Sequence, residues 1–134
     1  MATNLYLSDT AANAEADALT PLANNGYIRI YSGTQPTNAN TALGAQVLLA
    51  ELRFNATSFG AAVAGLLTAN AISNVAAGAT GTASFYRCLK SDGTTVLFDG
   101  NIGTSASNMN LNSTAIQSGA TVSITSFTHQ VVEH

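Results

Sequence analysis

The stretch GTASFYRCLKSDGTTVLFDG, residues 81–100, decides the fold. Two runs rich in aromatic and apolar residues flank Ser91-Asp92-Gly93, and Asp-Gly is the turn chemistry that joins antiparallel strands, with Gly93 taking the left-handed position of a three-residue loop. That loop predicts a register in which Lys90 faces Thr94, Cys88 faces Val96 and Tyr86 faces Phe98. Phe85, Arg87, Leu89 and Leu97 then share the other face, where Arg87 and Asp99 are diagonal neighbours able to pair. Large apolar groups on both faces imply a hairpin covered on both sides, which makes Phe85, Leu89 and Leu97 candidate contact residues.

Upstream of the hairpin the period is also two. Tyr27, Arg29 and Tyr31 alternate with Ile28 and Ile30, and Val47 to Phe54 reads as a strand with Leu48, Ala50, Leu52 and Phe54 inward. A polar loop, Ser32 to Ala42, separates them, and Leu66 to Ile72 is a further strand. Ser8 is a good N-cap for an alanine-rich run, predicting one helix from about Asp9 to Ala23, with Pro21 bending its last turn and Asn24-Asn25-Gly26 ending it. Downstream, a weak strand near Met109 to Leu111, a turn at Gln117-Ser118-Gly119 and a long strand from Thr121 to Val132 complete the chain.

One helix followed by about seven short strands with regular turn signals predicts a mainly β protein, an antiparallel β-sandwich or jelly roll with one N-terminal α-helix. The organisation is a single domain over 1–134: an N-terminal arm (1–7), the helix (8–23) and the sandwich (27–132). Its expected core is Ile28, Ile30, Leu48, Leu52, Phe54, Tyr86, Val96, Phe98, Val122 and Ile124. Leu5, Tyr6 and Leu7 form an apolar arm ahead of the helix that needs a surface to bury against, and join the candidate interface.

Only 8% of the residues are charged, against roughly 25% in an ordinary soluble domain. Ala, Gly, Ser, Thr and Asn make up 77 of the 134, so the surface is hydrated by hydroxyls and amides. Arg29, Arg53, Arg87 and Lys90 are too few and too scattered for the phosphate-neutralising stripe that nucleic acid requires. No apolar run approaches the roughly 20 residues of a membrane helix, and no basic stretch and apolar signal core open the chain. The expectation is therefore neither a nucleic-acid nor a membrane partner. Cys88, the one cysteine, excludes an intrachain disulfide.

Chemistry-bearing patterns are sparse. There is no G-x-S-x-G elbow beside His129, and mid-strand Cys88 reads as a small core hydrophobe. Asp92 and Asp99 are turn residues, and Asp99-Gly100-Asn101 lacks the further ligands of a calcium loop. No catalytic, cofactor or metal residue is assigned, and the expectation is a protein that is not an enzyme and carries no cofactor.

The order of segments, LSDTAANAEADAL, then YIRIYSGTQPTNANTAL, then LLAELRFNATSFGAA, then the 81–100 hairpin, resembles small jelly-roll cement or decoration proteins of tailed phages across nearly the whole chain. That resemblance implies a structural virion protein, made in the host cytoplasm and located on the capsid surface. It would bind the expanded head from outside and bridge major-capsid subunits, commonly as a homo-oligomeric dimer or trimer. The alternative is a carbohydrate- or receptor-binding β module such as a tail-fibre component, against which stands the absence of Trp and the presence of only 4 Tyr.

Overall fold

The computed structural model describes residues 6–131. The chain is mainly β with a helical N-terminus. Helix α1 (Asp9–Asp17) is capped by Ser8, whose hydroxyl accepts from the Ala11 N–H at 3.2 Å. The expected single helix is divided: α2 (Leu19–Ala23) begins after Ala18. Pro21 has no N–H to give the Asp17 carbonyl, so the ladder fails four residues before it. Asn25, at φ 58°, supplies the left-handed residue that turns the chain into the sheet.

The helices bury alanine, at Ala12, Ala16 and Ala23, and are fastened by polar side chains. Asn13 Oδ1 accepts from Gly65 N–H at 2.9 Å, Asp17 Oδ1 from Ala62 N–H at 2.8 Å, and Asn24 Oδ1 from Ser58 N–H at 2.8 Å. Residues 13 and 17 are one helical turn apart on one face, so the helix satisfies the amides of the 58–65 segment while its small side chains allow close approach.

Among the described residues eleven strands follow: β1 (Tyr27–Ser32), β2 (Val47–Arg53), β3 (Leu66–Thr68), β4 (Val75–Ala76), β5 (Gly81–Thr82), β6 (Phe85–Leu89), β7 (Val96–Gly103), β8 (Met109–Leu111), β9 (Ala115–Ile116), β10 (Thr121–Val122) and β11 (Ile124–Gln130). Seven form one sheet in the order β2-β1-β6-β7-β8-β11-β3, with β10-β4 and β5-β9 as two-stranded ribbons. Pairing within the large sheet is antiparallel except between β7 and β8, which run parallel over Ile102↔Met109 and Gly103↔Asn110. The expected strand from Thr121 to Val132 is interrupted at Ser123 because its partner changes: Val122 pairs with Val75 on β4, Ile124 with Leu111 on β8. The expected strand from Leu66 to Ile72 is shortened to β3, and Ala69 beyond it bridges Phe59.

The sheet curls over its own core. Phe54, just past β2, lies 5.7 Å in ring centroids from Phe127 on β11. In a flat sheet those strands, five positions apart, would be separated by about 24 Å at ~4.8 Å per strand. Phe127 also meets Phe59, Tyr86 and Phe98, so an aromatic cluster fills the fold of the sheet. The bridge from Phe59 to Ala69 draws the two ends of the sheet together. Such a doubled-over sheet supplies the facing layers that a sandwich core requires.

Two bulges correct the expected registers. On β2, Ile30 faces Ala50 but Tyr31 faces Leu48, so the skipped Leu49 turns inward and is fully buried while Leu48 is 41% exposed. In the hairpin, the Lys90 N–H donates to the Thr95 carbonyl, which encloses four residues, Ser91 to Thr94. Asp92 accepts from the Thr94 and Thr95 amides and the Thr95 hydroxyl, while Gly93 at φ 72° takes the left-handed position. Cys88 therefore faces Phe98, and Tyr86 faces Gly100; a second bulge sets Leu89 against Val96 and leaves Leu97 over. Of the expected core, Ile28, Ile30, Leu52, Phe54, Tyr86 and Val122 are buried. Phe98 and Ile124 are half-buried against it, and Val96 is half-buried.

Candidate functional site

On the outer face of the curled sheet, four charged residues stand in one cross-strand row. Glu51 on β2 faces Arg29 on β1, Arg29 faces Arg87 on β6, and Arg87 faces Asp99 on β7. Arg87 and Asp99, expected as diagonal neighbours, are directly opposed and make a two-pronged ion pair, Nε to Oδ1 at 2.7 Å and Nη2 to Oδ2 at 2.8 Å. Both side chains are almost fully buried, and the carboxylate holds the guanidinium above its ordinary pKa. Arg29 and Glu51 make a single contact nearer solvent, Nε to Oε2 at 2.8 Å. Tyr27 lies beneath Arg53, whose guanidinium carbon is 4.0 Å from the ring centroid.

The candidate contact residues divide. Leu5 lies outside the described residues, Tyr6 is 81% exposed and Leu7 is half-buried. Phe85 and Leu89 are corrected: both are buried within the chain, Phe85 stacked on Tyr31 at 5.3 Å, so neither has surface to offer a partner. Their cross-strand neighbours on β1, Tyr31 beside Phe85 and Tyr27 beside Leu89, supply part of this cover. Leu97 is half-buried and packs against the core. Besides Tyr6, the large apolar side chains exposed among the described residues are Val47, Leu48, Val63 and Leu22, none of them legible as contact residues from local pattern. Val47 and Leu48 adjoin at the start of β2, on the edge of the sheet, beside a groove lined by Leu49, Ala50, Glu51, Ala76 and Gly78.

Cys88 is fully buried, and burial pushes its thiol well above the ordinary value, leaving it protonated and packed. Asp92 is held well below the usual carboxylate range by the hydroxyl and amide of Thr95 and the amide of Thr94, as its turn role requires. Among the described residues no three His, Cys, Asp or Glu side chains gather as a metal site, and no helix is long and apolar enough to cross a membrane.

His129 has a more specific setting. Strand β7 is paired with β6 from Val96 to Asn101 but with β8 only at Ile102 and Gly103. On the other side, β11 bonds β8 through Phe127, and the Thr128 N–H donates to the Asn108 carbonyl. Beyond that point β7 and β11 splay, and a cleft of about 320 Å³ opens between them, lined by Tyr86, Asp99, Asn108, Thr128, His129 and Gln130. The imidazole lies 4.4 Å from the Phe98 ring, and burial lowers its pKa. Tyr86 reaches the cleft across Gly100, where a Cβ would run into the phenol hydroxyl. The glycine is needed for this close approach.

No protein-family model matches the chain, and neither a curated protein nor a solved structure is found to be similar to it.

Proposed function

We propose that the chain is a structural, non-catalytic virion protein that binds the outside of an expanded phage head and bridges neighbouring major-capsid subunits. The observation that carries this reading is the apolar pair Val47 and Leu48, 48% and 41% exposed at the sheet edge. A long edge strand with exposed apolar side chains invites pairing or burial against another chain. The resemblance in segment order supports the same reading, as does a surface of hydroxyls and amides suited to many weak contacts. A clamp of this kind stabilises only the lattice geometry it fits, and repeated copies multiply its effect.

The test is sedimentation of the purified chain with expanded and with unexpanded heads. Saturable co-sedimentation with expanded heads alone is expected, and Leu48→Asp weakens it at least about tenfold, since burying one Leu contributes roughly 1.5–3 kcal/mol. Failure to bind expanded heads, with the chain folded, contradicts the reading.

A further inference from the structure

Four of the polar side chains lining the β7–β11 cleft make no hydrogen bond within the described residues, whereas Asp99 is bonded to Arg87 and the Gln130 carboxamide donates to the Ala64 and Val131 carbonyls. Tyr86 is 2% exposed, yet among the described residues nothing hydrogen-bonds to its hydroxyl. The same holds for the His129 ring, the Asn108 carboxamide and the Thr128 hydroxyl, although the Asn108 and Thr128 backbones are both bonded. Tyr86 is buried except where its hydroxyl meets the cleft, while Asn108 is exposed and Thr128 and His129 are half-buried around it; donors and acceptors that converge on one cleft without internal partners are available to an external one.

The charge of the cleft narrows the chemistry. Its one carboxylate, Asp99, is compensated by the two bonds from Arg87, which leaves neither an uncompensated cation for an anionic ligand nor a free carboxylate for a cation. What remains is one phenol donor, an imidazole, a carboxamide and a hydroxyl, with the His129 ring itself flanked by Phe98. We infer that the cleft between β7 and β11 binds a neutral polyhydroxylated ligand of monosaccharide size, with Tyr86, Asn108, Thr128 and His129 supplying its hydrogen bonds. A volume of about 320 Å³ is at the small end for ligand sites and suits a single sugar ring. The site is independent of head binding: it lies between β7 and β11, whereas the proposed capsid contact is on β2.

The test is a backbone amide NMR titration of the full chain with D-glucose, D-galactose, D-mannose and N-acetyl-D-glucosamine, and with inorganic phosphate alongside. At least one sugar is expected to give saturable shifts confined to residues around 99, 108 and 128–130. The expected Kd is on the order of 1 mM, as about twelve non-hydrogen atoms of modest efficiency allow. Tyr86→Phe and the surface change Asn108→Ala should each weaken it by about three- to tenfold, the value of one hydrogen bond, with the rest of the spectrum unchanged. Linear, unsaturating shifts with every sugar overturn the inference. So does saturation by phosphate alone, or affinity unaltered in both variants. None of these outcomes bears on co-sedimentation with heads.

Discussion

Two neighbouring regions of the sheet treat their polar groups in opposite ways. On the outer face of β1, β6 and β7, the charged row is closed on itself: Arg87 and Asp99 are almost fully buried and bonded twice to each other. Across the same strands, the β7–β11 cleft holds a buried phenol and a half-buried imidazole that bond to nothing in the described chain. Satisfied polar groups of the first kind hold strands in register. Unsatisfied ones of the second kind contribute no stability and are available to a ligand.

Asp99→Ala should break the first region with the largest effect. It strands the Arg87 guanidinium in a buried position and should destabilise the fold by about 3–5 kcal/mol, read from the urea midpoint. Glu51→Ala, which opens the exposed member of the same row, should cost no more than about 1 kcal/mol. If the two substitutions cost the same, burial is not what distinguishes the pairs.

Gly100→Ala probes the boundary between the regions. The added Cβ meets the Tyr86 hydroxyl, so the ring must move; about 1–3 kcal/mol should be lost, with altered near-UV dichroism.

A smaller effect concerns acid. Burial lowers the folded pKa of His129 below its ordinary value of 6.5, so the unfolded chain takes up its proton first. Its contribution is intact above pH 6.5 and is lost progressively as the pH falls from there through the folded pKa. The slope attributable to this group cannot exceed about 1.4 kcal/mol per pH unit. Comparing urea midpoints of the native chain and His129→Gln across that window should show a shallower acid loss in the variant. Smallest of all, Tyr86→Phe should change stability by less than about 0.5 kcal/mol, because the hydroxyl removed has no partner in the chain.

The mainly β class, the helical N-terminus and the positions of most strands are legible in the sequence because they follow from local periodicity and turn residues. The Arg87–Asp99 pair is legible too, although its direct opposition depends on Asp92 bonding both Thr94 and Thr95 and so lengthening the loop. What local pattern does not carry is long-range pairing. The bulge that exchanges Leu48 for Leu49 arises from the pairing of β2 with β1, and the break at Ser123 from a change of partner. The cleft is least legible: Tyr86 and His129 are 43 positions apart in sequence, and only the curl of the sheet brings them together. The one signal available was Gly100 in a strand otherwise rich in large residues, a mark of close approach.

The most direct measurement is urea unfolding of Asp99→Ala beside the combined variant Tyr86→Phe, Asn108→Ala, Thr128→Val. The single change on the closed row is expected to cost about 3–5 kcal/mol, while the triple change in the cleft stays within about 1 kcal/mol of the native chain. A triple variant as destabilised as Asp99→Ala would show that the cleft groups hold the fold together and would contradict the division between scaffold and site.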